Sequence, residues 1–191
     1  IGIHPCESNE AKDLSKIESL AKKYPFVAIG ECGLDFYRNY APKDQQVKVF
    51  KKQLDIARAV SLPVIIHNRH ADQEMIEVLK NYKDIRKVFH CYASNTAFFE
   101  SIDDENTFYS FTGIITYAKK GKIITALKNI PISKIMLETD CPYLPPQTKR
   151  GQENQPAYML EIAERIGEIK EVTLNEVIEI TTKTSRSFFE I

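Results

Sequence analysis

The sequence lacks any excess of charge: 26 Lys and Arg face 26 Asp and Glu over 191 residues, a formal net charge of zero. This excludes a polybasic protein whose whole surface attracts nucleic acid, although a cleft needs only local positive charge. No run approaches the roughly 20 apolar residues of a membrane span. No basic segment followed by an apolar one marks a signal peptide at the start. Paired cysteines are also lacking. Cys6, Cys32, Cys91 and Cys141 stand 26, 59 and 50 positions apart. Without a CxxC pair, neither a disulfide framework nor a thiolate zinc site is expected, and a reducing, cytoplasmic compartment is. No glycine-rich phosphate loop follows any candidate strand, which weakens a nucleotide-binding open sheet. There are no solenoid repeats and no low-complexity segment.

What is present is an ordinary globular balance, 43% apolar and 27% charged, over a length that suits one domain spanning residues 1–191. Short apolar runs without alternation occur at 1–3, Phe26–Gly30, Pro63–Ile66, Lys87–Phe89, Thr107–Phe111 and Lys134–Leu137. They read as strands buried on both faces of a parallel sheet. Helical patterns lie between them. The first is Asn9–Lys23, capped by Ser8. Asp44–Val60 carries Val47, Phe50, Leu54 and Ala57 near one face, and Ala71–Tyr82 comes next. Thr96–Ser101, Gly121–Asn129, Pro156–Gly167 and Leu174–Phe189 complete the set. Repeated βα units imply right-handed crossovers, in a doubly wound sheet or a barrel. The long Pro-rich stretch Cys141–Gln155 is of the kind that carries function.

The informative residues stand at the carboxyl end of each strand. FVAIG leads to Glu31, PVII to His67, KVF to His90, and KIML to Glu138, Thr139 and Asp140. In a parallel barrel all carboxyl ends share the face where active sites sit. Two imidazoles and two carboxylates suit a divalent ion. Any one of these residues alone reads more simply as a capping or salt-bridging group. The repeated pattern does not, and His4 follows the first apolar run in the same way. His70 opens a helix and reads as a solvated first-turn residue. On an extended strand Glu138 and Asp140 share a side, so Glu138 is expected to support Asp140 from one layer deeper. Cys32, Cys91 and Cys141 turn away and are expected to be small buried groups.

The segments Gly2–Pro5, Ala28–Tyr37 (AIGECGLDFY), Leu62–His67, Val88–Cys91, Glu138–Leu144 (ETDCPYL) and Arg150–Pro156 resemble the TatD family of metal-dependent deoxyribonucleases. That family belongs to the amidohydrolase-like superfamily. The likeness covers essentially the whole chain, with GECGLDFY and ETDCPYL its most specific parts. It implies a (β/α)8 TIM-type barrel and hydrolysis of phosphodiester bonds in DNA, single-stranded or at strand ends, with two divalent ions (Mg, Mn or Zn). It implies Glu31 as the bridging carboxylate and His67 and His90 as ligands of one ion. Asp140 is implied as ligand of the other ion and as catalytic base. His4 matches a histidine of the substrate cleft, while Arg69, Tyr143, Arg150 and Asn154 fall where phosphate is contacted. Phe36, Tyr37 and Tyr143 are candidates to stack unpaired bases. The chain departs from the family in lacking the His-x-His pair of its first strand. It also holds about 60 residues fewer than the roughly 250 of a full barrel. Strands three to eight are therefore expected here, without the first two βα units. Cys6, His70 and Ala93-Ser94 replace the usual His, acidic residue and Ser-Gly. An aminoacyl-ester or amide hydrolase on the same site, and a non-catalytic shortened homologue, are the alternatives.

Overall fold

The alternation of apolar runs and amphipathic stretches yields five strands and eight α-helices among the residues described by the structure, a computed structural model covering 1–11, 13–38, 40–117 and 119–191. The chain divides into two compact units. One comprises Ile1–His90, Ile102–Thr107 and Glu190; the other comprises Cys91–Ser101, Phe108–Phe189 and Ile191. Among the described residues no helix is long and apolar enough to cross a membrane.

The first unit runs α1 (Ser15–Lys23), β1 (Ile29–Asp35), α2 (Lys43–Val60), β2 (Val64–Arg69), α3 (Asp72–Leu79) and β3 (Lys87–Phe89). β1 pairs with β2 and β2 with β3, both parallel, as the expected crossovers require. Ile29, Cys32, Leu34, Val64, Ile66, Val88 and Phe89 are buried along these strands. α2 starts after Pro42 and closes on Ser61 in the left-handed conformation. Its buried face is Gln46, Val49, Phe50, Gln53, Leu54, Ile56 and Ala57. Gln46, not Val47, takes the first position of that face.

Several boundaries differ from the sequence reading. Residues 1–3 are not a regular strand, although Ile1 donates to the Ala28 carbonyl at 3.0 Å and Gly30 donates to the Ile1 carbonyl at 2.9 Å. The strand expected at 26–30 is Ile29–Asp35, so Glu31 lies inside it. Two glycines and a glutamate disfavour a strand by propensity, and sheet pairing overrides them. β2 likewise continues through His67 to Arg69. The helix expected at Asn9–Lys23 is a 3-10 turn, Pro5–Glu10, followed by α1. Asp13 Oδ1 accepts the backbone N–H and hydroxyl of Ser15 at 3.0 and 2.6 Å where α1 begins, and Ser8 lies within the 3-10 turn instead of capping a helix. Lys12, within that expected helix, lies outside the described residues.

The second unit contains most of α4 (Thr96–Ile102) and β4 (Thr107–Phe111), then α5 (Ile114–Tyr117), α6 (Lys122–Asn129), β5 (Ile135–Leu137), α7 (Met159–Lys170) and α8 (Leu174–Phe189). β4 and β5 are parallel, with Tyr109 opposite Ile135 and Phe111 opposite Leu137. Tyr92 packs edge-on against Tyr109 and Phe111, with centroids 5.1 and 5.9 Å away. Lys170 Nζ donates to the carbonyls of Leu127, Lys128 and Ile130 at 3.2, 2.9 and 2.7 Å, which satisfies the exposed end of α6. Pro156–Tyr158, expected to open α7, forms a separate 3-10 turn.

Candidate metal centre

Pairing places Gly33 of β1 opposite His67 of β2. The approach there is too close for any side chain. A Cβ on Gly33 would fall 2.1 Å from the His67 carbonyl oxygen, and its φ of +134° is one that L residues rarely adopt. That proximity brings the Glu31 carboxylate to the histidines. Glu31 Oε1 lies 2.9 Å from His67 Nδ1 and 3.3 Å from His90 Nε2. The His67 and His90 rings stack with centroids 6.2 Å apart, and His4 meets His67 edge-on at 4.6 Å. Single donor atoms of His4, Glu31 and His67 all fall within 4.8 Å of one another, close enough to hold one metal ion. His4 Nδ1 accepts the Cys6 N–H at 3.2 Å, so in the neutral ring Nε2 carries the proton and faces its surroundings as a donor.

The other face of His67 is held by a residue that the sequence reading does not single out. Asp35 Oδ2 lies 3.2 Å from His67 Nε2, while its Oδ1 accepts the N–H groups of Tyr37 and Arg38 at 3.0 and 2.8 Å. Two buried glutamines of α2 fix the backbone on either side. Gln46 Oε1 accepts the Asp35 N–H at 2.8 Å and its Nε2 donates to the carbonyls of Asp35 and Ala41 at 3.0 and 2.9 Å. Gln53 accepts the Ile3 N–H at 2.7 Å and donates to the Ile3 carbonyl at 3.0 Å, next to His4. Their signal in the sequence is a pair of amides seven residues apart on an otherwise apolar helical face.

Electrostatics reflect this packing. Burial pushes the Glu31 carboxyl up, but the His67 hydrogen bond and the charges of His90, His67 and His4 prevail and hold it below the ordinary value. Burial likewise opposes ionisation of Asp35. The Arg38 N–H, the His67 charge and the Tyr37 N–H outweigh it and leave the carboxyl below its ordinary value. His4 is held below its ordinary value by burial first and by His67 second.

Glu31, His67, His90 and His4 thus come together in the first unit, with Arg69 two residues beyond His67. Glu138, Asp140, Tyr143, Arg150 and Asn154 belong to the second. There Glu138 accepts the N–H of Cys91, the residue after His90. β5 stops at Leu137 and Asp140 has a φ of +56°, so strand alternation does not govern Glu138 and Asp140. The same early stop leaves Cys141 exposed. Cys91 is half-buried beside Thr112, and only Cys32 is the buried thiol expected of all three. Tyr143 and Arg150 are exposed. Asn154 corrects the sequence reading: it is buried and its amide donates to the carbonyls of Thr139 and Tyr143 at 2.7 and 2.6 Å. Both donors are spent on the loop, with none left for phosphate. His70 is exposed, as expected, but precedes α3 with a φ of +56°.

The family profile described as TatD related DNase matches residues 1–190. The chain is 36% identical over 195 residues to the uncharacterized metal-dependent hydrolase YabD of Bacillus subtilis, covering 100% of this chain and 76% of YabD. It is 34% identical over 197 residues to the 3'-5' ssDNA/RNA exonuclease TatD of Erwinia amylovora, covering 98% and 76%. The crystal structure of YJJV, a TatD homolog from Escherichia coli K12, superposes with a TM-score of 0.92 at 24% identity, over 100% of this chain and 76% of that one. The last similarity concerns the fold.

Proposed function

This chain belongs to the TatD-related DNase family, and from that premise we propose that it is a metal-dependent hydrolase of phosphodiester bonds in DNA, acting on single strands or strand ends. The observation that carries the reading is the Glu31 carboxylate held between His67 and His90, with His4 in ligand range. The donor chemistry fits a divalent ion: imidazole nitrogens and a carboxylate kept ionised suit Zn or Mn, and carboxylate oxygens also suit Mg. The names of YabD and of the Erwinia TatD support the hydrolase and the nucleic-acid substrate respectively.

In this reading the chain would hold two ions: Glu31 would serve both, His67 and His90 would hold one, and Asp140 would hold the other, as the family resemblance implies. A bound divalent ion lowers the pKa of water and offsets charge on the phosphate. Asp140 takes the proton of the attacking water; its assignment rests on the ETDCPYL motif. Asp35 keeps the His67 ring oriented, as a carboxylate behind a ligand imidazole does. Glu138 secures the backbone beside His90. His4 offers its Nε2–H to a phosphate oxygen, and Arg69, Arg150 and Tyr143 contact the substrate. The fold class in this reading is the (β/α)8 TIM type of the family, and the location cytoplasmic.

The test is release of nucleotides from fluorescent single-stranded DNA with Mg or Mn. Turnover is expected to stop with EDTA and in Asp140→Asn, with the melting curve unchanged. Cleavage that persists in EDTA, or full activity of Asp140→Asn, overturns the reading.

A further inference from the structure

Beside the metal centre, the first unit holds a group of side chains that neither ligation nor packing explains. Tyr37 keeps 58% of its surface exposed. The Arg69 guanidinium lies over its ring, 4.0 Å from the centroid, and His70 meets the ring edge-on at 5.1 Å. Next to it, Lys43 Nζ sits over Phe36 at 4.6 Å. Among the described residues no carboxylate pairs with Arg38, Lys43 or Arg69, in a chain whose charges balance overall. The result is a local positive surface with an open aromatic face.

This group is tied rigidly to the centre. The same Asp35 carboxylate that faces His67 Nε2 accepts the N–H groups of Tyr37 and Arg38. Arg69 follows His67 by two residues on β2, hence on the same side of the strand, and its carbonyl accepts the Phe36 N–H at 2.9 Å. The distance between aromatic face and metal ligands is therefore set by backbone hydrogen bonds.

We infer that Tyr37, Arg69 and His70 form a nucleotide subsite that stacks an unpaired base. Tyr37 supplies the stacking face, and Arg69 directs its remaining N–H donors to the adjoining phosphate. His70 braces the tyrosine ring. The inference rests on the nucleic-acid reading above and deepens it by naming the recognised group. A base inside a duplex has no free face for Tyr37, so the subsite selects single strands and frayed ends.

The test is fluorescence anisotropy with a fluorescein-labelled, phosphorothioate-linked oligothymidylate and its abasic counterpart, with metal present. Wild-type protein is expected to bind the base-bearing strand more tightly. Tyr37→Ala is expected to weaken that binding about tenfold, within the range for loss of one stacked base, and to leave the abasic strand unaffected. Tyr37→Phe keeps the wild-type preference, whereas Arg69→Gln weakens both strands and lowers the salt dependence. Equal wild-type binding of the two strands, or an unchanged Tyr37→Ala, overturns the subsite. Cleavage of unmodified single-stranded DNA is measured alongside. Cleavage with unaltered Tyr37→Ala affinity overturns the subsite alone; absence of both cleavage and binding overturns the nuclease reading and the subsite with it.

Discussion

The two units hold their candidate residues by contrasting means. In the first, Glu31, Asp35 and His67 sit on paired strands, and the backbone around Asp35 and His4 is clamped from outside by Gln46 and Gln53 of α2. In the second, Asp140 lies beyond the end of β5 in a left-handed conformation, and the loop after it is stapled from within by Asn154. The first arrangement cannot deform without breaking hydrogen bonds of the sheet and of the two buried glutamines of α2. The second can open locally while its helices stay packed. A buried side-chain amide does the holding in both, yet the consequence of losing it differs.

The sharpest way to break this contrast is Gly33→Ala. The new methyl must displace the His67 carbonyl and adopt a φ of +134°, so the unit is expected to lose on the order of 3 kcal/mol. Metal content, read by mass spectrometry, falls with it. A normal melt with full metal would mean the strands are not a rigid frame.

Gln46→Ala is expected to cost about 1–3 kcal/mol, because it strands the buried N–H and carbonyl of Asp35. Asn154→Ala should move the melting point much less, while hydrogen exchange or proteolysis within 141–155 rises. Equal global losses in the two variants would erase the distinction between clamp and staple.

Acid titration of the EDTA-treated protein separates the groups of the first unit. The depressed value of His4 lets the unfolded chain take up a proton first, so stability should begin to fall as the pH drops below His4's ordinary 6.5. Glu31 and Asp35, also depressed, contribute fully above the ordinary carboxylate range. Their contribution is lost only as the pH falls through their lower folded values. His4→Gln should remove the first decline and leave the second. A control at the small end is Glu18→Gln, which breaks the exposed pair with Lys22 and should leave the melting curve in place.

Much of this frame is legible in the sequence. β3, β4 and α8 coincide with the segments read from apolar runs and periodicity, since charged or turn residues bound them. Glu31, His67 and His90 stand out because each comes directly after an apolar run. β1 is misplaced by the sequence reading because Gly30, Glu31 and Gly33 carry little strand propensity, and only pairing with β2 extends it to Asp35. Asn154 reads as a phosphate ligand because a polar residue in a functional loop says nothing about where its donors are spent.

The order of βα units, the parallel strands they require and the residue types of the centre are set by the linear pattern alone, because hydrophobic periodicity and crossover geometry act over short stretches of chain. The meeting of Glu31 with His67 and His90, the hold of Asp35 on His67, and the burial of Gln46, Gln53 and Asn154 on backbone groups belong to the folded state. They depend on distances between residues far apart in sequence, and a buried amide finds its partner only once packing has brought the two together.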